Sequence, residues 1–222
     1  MTRHAQFVRL EEGRRFDVIG VPVHFDGDDA FIAQGIVDAF PELALPSNLT
    51  RSWCSAQGLT EGIGSATMLR ALSGPNVVLV AAGATLNDLE YYRRAGAAVV
   101  TAARERDVAF LLATDGVDAP DDAAQALVEG ALLASYRYRG DDPSTRFGVV
   151  AVGSPLPSVD AHTLVGAGVQ RGVTVAEAVN WAKHLINTPA NAMTPRDLTR
   201  ASLEYLDVAH VTTRVWDEED KA

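Results

Sequence analysis

The side chains that can do hydrolytic or metal chemistry are present in this chain, but not at working spacings. Its five histidines, His4, His24, His162, His184 and His210, follow no metal-ligand pattern, and the zinc-protease helix motif HExxH does not occur. A nucleophile elbow GxSxG and a phosphate loop GxxxxGK followed by Ser or Thr are also missing. The single cysteine, Cys54, cannot form an internal disulfide or a thiolate cluster, and it reads as a small buried apolar residue. Paired carboxylates can hold divalent metals, but each acidic cluster here has a local reason for its place. Asp26, Asp28 and Asp29 lie in a turn, Asp121 and Asp122 open a helix, and Asp141 and Asp142 close one. The run Asp217 to Asp220 reads as a solvated loop.

Two glycine-rich pieces, Gly58 to Gly64 and Gly166 to Gly172, lack the strand and spacing of a dinucleotide site and read as loop or close helix packing. Tyr136 and Tyr138, interleaved with Arg137 and Arg139, could suggest a stacking platform for nucleic acid. Residues two apart do not share a helix face, so an amphipathic helix end with one tyrosine inward is the better account. His184 falls on the polar side of a helix and reads as solvated or hydrogen-bonded.

Composition agrees. Among the 222 residues, 47% are hydrophobic and 22% charged, which excludes a disordered or low-complexity chain. Nineteen Lys and Arg against twenty-nine Asp and Glu give a net charge of −10, the wrong sign for tracking phosphates, so nucleic acid is disfavoured as a partner. No signal peptide or membrane span is read, and the expected address is the cytoplasm.

The elements that must position these residues follow from period and punctuation. Phe16 to Phe25 reads as a strand closed by a turn, Ala30 to Phe40 as a helix ending at Pro41, and Pro41 to Gly74 as irregular with a strand near Ser65 to Leu69. Asn76 to Ala82 is a continuous apolar run expected of a strand buried on both faces. Thr85 and Asp88 form a capping pattern for a helix through Leu86, Leu89 and Tyr92 toward Arg104. Asp107 to Thr114 is a strand. The helix after Asp121 carries an apolar stripe from Ala124 to Tyr138 and stops at Gly140 to Pro143, and Phe147 to Val152 is a further strand.

This alternation predicts an α/β fold with a largely parallel sheet. Ser154 to Pro157 reads as a linker, and a long helix follows from Val159 to Ile186. Its Val175, Ala178, Val179, Ala182, Leu185 and Ile186 form one face. Thr194-Pro195-Arg196-Asp197 caps another helix, and His210 to Trp216 alternates like a strand. With no partner element behind it, that last strand makes the chain look cut within a second α/β unit.

Leu185-Ile186-Asn187-Thr188-Pro189-Ala190-Asn191-Ala192-Met193-Thr194-Pro195 resembles the leucyl aminopeptidase (cytosol aminopeptidase) family, whose members carry NTPAN followed by a Thr-Pro helix start. Gly172 to His184 looks like the helix that links that family's two domains, with Lys183-His184 where arginine-aspartate is commoner. Ala126 to Tyr138, with Glu129-Gly130-Ala131-Leu132-Leu133 within it, resembles the EGALL-type helix of the family's N-terminal domain. The similarity reads as strong after about Ala123 and faint before it.

The resemblance implies a three-layer, macro-like α/β domain over residues 1–157 with a mixed, largely parallel sheet. It implies a linker helix over 158–188 and the incomplete start of a catalytic peptidase domain over 189–222. It further implies a hexameric aminopeptidase that acts on peptides through two divalent ions, zinc or manganese, held in an NTDAEGR-type motif that is not in this sequence. No catalytic or metal-binding residue is therefore expected here. Asn187, Thr188, Pro189, Asn191 and Pro195 are read as a structural corner that turns the chain from linker helix to catalytic core. The competing reading is a free-standing macro-like module that binds a nucleotide-like ligand or mediates oligomerisation, without peptidase activity.

Overall fold

The computed structural model describes residues 4–9, 16–46, 49–82, 87–138, 145–153, 161–208 and 211–216. The expectations placed on Thr85, Leu86, Gly140 to Pro143, Ser154 to Pro157, His210 and Asp217 to Asp220 lie outside the described residues. The chain divides into two compact units, Met1–Ala178 and Val179–Ala222.

The first unit is an α/β layered fold built on one long strand. β1 (His4–Phe7), β2 (Val18–Asp26), β6 (Asn76–Ala81), β7 (Val108–Ala113) and β8 (Arg146–Val152) are all parallel, in the order β1-β8-β7-β2-β6, and β5 (Ala66–Leu69) adds antiparallel at the β6 edge. Beyond its pairing with β6 and β7, β2 continues through His24 to Asp26 and folds back on β3 (Asp29–Phe31), which pairs with β4 (Leu49–Thr50). Gly27 sits at that reversal with φ +58°, a conformation that costs glycine nothing.

β6, β7 and β8 are buried along nearly their whole length, so their side chains need cover on both faces. One face is covered by α3 (Leu89–Ala103) and α4 (Pro120–Ala134), whose Tyr91, Ala95, Val99, Leu127 and Ala131 pack with Val78, Phe110 and Val149. The other carries α1 (Gln34–Ala39) and α2 (Arg51–Ala56), where Ile36, Phe40, Cys54 and Leu59 enclose Ile19, Leu79 and Leu111. Each such fully buried large side chain contributes about 1.5–3 kcal/mol of transfer free energy.

The expected strands at Phe16, Ser65, Asn76, Asp107 and Phe147 all form. Several expectations are corrected. Ala30 and Phe31, expected to open a helix, instead belong to β3, which reaches back to pair with β2, and the helix itself is Gln34–Ala39. The stretch read as irregular holds β4 and α2, which is capped by Thr50, whose hydroxyl accepts from Trp53 N–H at 3.1 Å. β1 was not foreseen. The Leu89 helix takes Asp88 as its N-cap, accepting from Glu90 N–H at 3.0 Å. α4 ends at Ala134, short of Tyr136 and Tyr138, so neither tyrosine lies on it.

α5 (Ala161–Asn187) is one continuous helix of 27 residues, matching the long helix expected. Its buried positions are Val165, Gly168, Val169, Gly172 and Ala176. The apolar face anticipated from the sequence stands largely open instead, with Val175 40% and Ile186 81% exposed. In the second unit α6 (Pro195–Val208) follows, and the indole of Trp181 stacks on Tyr205 with ring centroids 4.4 Å apart. Residues 211–216 are not a strand, contrary to the alternation of Val211 and Val215: a strand needs a neighbour to take its main-chain hydrogen bonds, and none of the described strands pairs with it.

Candidate functional site

The five corner residues fall between α5 and α6, and local hydrogen bonds fix their path. Asn187 is the last residue of α5. Thr188 closes that end, its N–H donating to Leu185 O at 3.2 Å and its hydroxyl to His184 O at 2.8 Å. Pro189 ends the helix and accepts at its carbonyl from Ala192 N–H at 2.8 Å, forming a turn that carries Asn191 exposed at its surface. Pro195 is the first helical residue of α6.

Thr194 and Asp197 cap that helix reciprocally. Asp197 N–H donates to the Thr194 hydroxyl oxygen at 3.3 Å, and Thr194 N–H donates to the Asp197 carboxylate at 3.1 Å. The Thr194 hydroxyl also donates to that carboxylate at 2.6 Å. The bonds from the Thr194 hydroxyl and N–H, aided by Arg200, hold the Asp197 carboxyl below the usual carboxylate range. These bonds close the first turn of α6.

The EGALL-type segment does mechanical work between helices. A Cβ on Gly130 would stand 1.7 Å from Arg93 O, and one on Gly96 would stand 2.0 Å from Leu127 O, so α3 and α4 cross backbone to backbone at these two positions. Beside the crossing, Glu129 accepts from Arg93 Nε and Nη2 at 3.2 and 3.1 Å and from Gln125 Nε2 at 2.9 Å. Arg93 resists burial's pull toward the neutral form because Glu129 and Glu90 outweigh it, and its basicity is raised. The glycine-rich stretch Gly166 to Gly172 repeats the device: a Cβ on Gly168 would stand 2.0 Å from Asp121 O and one on Gly172 2.7 Å from Gln125 O.

Arg171 then reaches Asp121 at 2.9 Å, Asp122 at 3.0 Å and Gln125 Oε1 at 2.9 Å. Burial works to raise the Asp121 carboxyl, but Arg171 outweighs it and keeps the group low. Asp121 and Asp122, placed by sequence at a helix start, are indeed in the first turn of α4. Sequence reasoning found the helices but not this chain of Glu90, Arg93, Glu129, Gln125 and Arg171, because its bonded partners lie up to 46 residues apart. The only available signal was the pairing of glycines with polar residues one helical turn away.

Cys54, Tyr91, Tyr92 and His24 are each perturbed by burial. Cys54 is buried and free, and burial pushes its thiol up, as expected of a packing residue. Tyr91 is buried with its hydroxyl unpartnered, and burial followed by the charge of Tyr92 drives its acidity out of reach. Tyr92 is pushed up to about 12 by burial. His24, stacked on Phe31 at 5.3 Å, is held toward its neutral form by burial. Among the described residues no three His, Cys, Asp or Glu side chains converge to hold a metal ion. The described residues therefore do not fit a two-metal centre. No described helix is long and apolar enough to cross a membrane.

Comparison with known proteins is consistent with this architecture. Residues 47–140 match the cytosol aminopeptidase family, N-terminal domain. A probable cytosol aminopeptidase of Roseiflexus castenholzii is 35% identical over 142 residues, covering 60% of this chain and 29% of the relative. One from Streptomyces avermitilis is 33% identical over 182 residues, covering 72% of this chain and 34% of the relative. This chain thus spans roughly a third of the length of these curated relatives. In fold it is similar to a tomato leucine aminopeptidase mutant, with TM-score 0.71 and 19% identity over 97% of this chain and 44% of that one. It is also similar to the bottromycin maturation enzyme BotP in complex with Mn, with TM-score 0.62 and 24% identity over 87% of this chain and 37% of that one. The matched stretch runs from β4 past α4, so the similarity is well established before Ala123, where the sequence motifs alone had left it faint. The chain belongs to the cytosol aminopeptidase family, whose N-terminal domain it carries over residues 47–140.

Proposed function

We propose that this chain is the N-terminal portion of a metal-dependent leucyl aminopeptidase that releases N-terminal residues from peptides in the cytoplasm as a homohexamer. Two divalent ions, zinc or manganese, would supply Lewis-acid activation of water and of the scissile carbonyl. Residues beyond those described here would hold them. The chain's own part is structural: the layered domain, the α3–α4–α5 clamp, and the corner from Asn187 to Pro195 that redirects the chain.

The observation that carries this reading is 33% identity across 182 residues to a probable cytosol aminopeptidase, of which the matched stretch covers 34%. A chimera tests it. This chain replaces the matching third of the Streptomyces avermitilis relative, and hydrolysis of leucine p-nitroanilide is measured with Mn²⁺ or Zn²⁺. The expected result is turnover within about ten-fold of the unmodified relative. A soluble, cooperatively folding chimera without turnover would overturn the assignment.

A further inference from the structure

β5 is the terminal strand of the main sheet and pairs, among the described residues, with β6 alone. Ala81 N–H donates to Ser65 O at 2.9 Å, and hydrogen-bonded pairs alternate along an antiparallel ladder. Thr67 and Leu69 therefore direct their main-chain groups at β6, whereas the N–H and C=O of Ala66 and Met68 point away from the sheet. Beside them lies an open groove of about 580 Å³ between β5 and α3, lined by Gly64, Ala66, Arg94, Ala98, Thr101 and Ala102 among others. Ala66 and Met68 pack toward the α3 side, and Thr67 turns to the opposite face, where its hydroxyl donates to Gln57 O at 2.6 Å. A strand laid along this edge would therefore place every second side chain over the groove.

The rim is positive in a chain whose net charge is −10. Arg94 stands at the groove, paired with Glu90 at 2.7 Å. Arg106 rests its guanidinium 3.8 Å from the Met68 sulfur, a weak acceptor, and Arg70 directly follows β5. Among the described residues no carboxylate pairs with Arg106 or Arg70.

We propose that the β5 edge is a strand-addition site for an extended, acidic segment of another protein. Open amides and carbonyls at alternate residues specify an extended chain, the groove of small residues takes its inward apolar side chains, and the arginines set the sign of its flanks. A second copy of this chain is a poorer occupant. Two β5 edges placed together would bring Arg70 and Arg106 of both copies onto one seam.

The test uses the ¹⁵N-labelled chain and the probe acetyl-EVEVEV-amide, whose blocked N-terminus also excludes cleavage by an aminopeptidase. Saturable shifts are expected around β5, with exchange at the Ala66 and Met68 amides slowed by about ten-fold or more. Acetyl-KVKVKV-amide, acetyl-EPEPEP-amide and the R106E variant, checked for an unchanged folded spectrum, should each weaken binding by about ten-fold or more. The proposal is overturned by no saturable shift at millimolar peptide, by protection elsewhere than β5, or by equal binding of the lysine peptide. It is equally overturned if these amides are already protected without peptide in a chain that light scattering shows to be dimeric.

Discussion

At the residue scale, local bonds account for the placement of the polar side chains between α5 and α6. Asp197 is the clearest case, since the sequence already places it in a helix cap. Its bonds run to Thr194 and Arg200, and they close the first turn of α6. The electrostatics yield a signed expectation. A carboxyl whose folded pKa lies below its unfolded value contributes stability that is complete above the unfolded value of about 3.9 and is lost as pH falls through the folded one. Acid should therefore fray α6 from its N-terminus. The Asp197 carboxyl, followed by NMR, should titrate below the ordinary aspartate value, and Thr194→Ala should raise its midpoint by removing the largest cause. An unchanged midpoint in that variant would show that the cap does not form in solution. This cap was legible from Thr194, Pro195 and Asp197 alone because all its partners lie within one helical turn.

At the element scale, what the sequence revealed depended on the range of the forces involved. Strands such as Asn76–Ala81 announce themselves because burial on both faces demands an unbroken apolar run. α2 and β4 were hidden, since six and two residues show no period and only the cap at Thr50 marks the junction. β1 was hidden because a parallel edge strand is made by its partner, β8, and not by its own four residues. The helix crossings were half visible. Gly130 was legible as part of a family motif, but only the fold shows it and Gly96 each fitted against the other helix's backbone. Gly130→Ala should therefore destabilise the first unit by about 3 kcal/mol or more, beyond the usual overpacking range, because the obstructing atom is main chain. Urea denaturation measures this. A loss below about 1 kcal/mol would mean that α3 and α4 stand farther apart than described.

At the scale of the whole molecule, the parallel sheet clothed by helices on both faces was legible in the alternation of strand and helix signals, because parallel neighbours require crossovers. The place of Asp121 and Asp122 at a helix start was also readable, since the first turn of a helix favours negative charge. Less legible was how far α5 belongs to the first unit: the burial of Val165, Val169 and Ala176 and the Arg171 contacts with α4 place its first half there, whereas helical period alone showed one uninterrupted helix. The clamp of Glu129, Gln125 and Arg171 then makes that half of the helix a fixed part of the domain. The proposed function requires that these residues shape and support the enzyme while its reacting atoms are held elsewhere. The decisive measurement is to incubate the purified chain with leucine p-nitroanilide and excess Mn²⁺ or Zn²⁺ and follow nitroaniline release. The expected rate equals that of the metal-only blank, and saturable turnover above the blank that copurifies with the chain would contradict it.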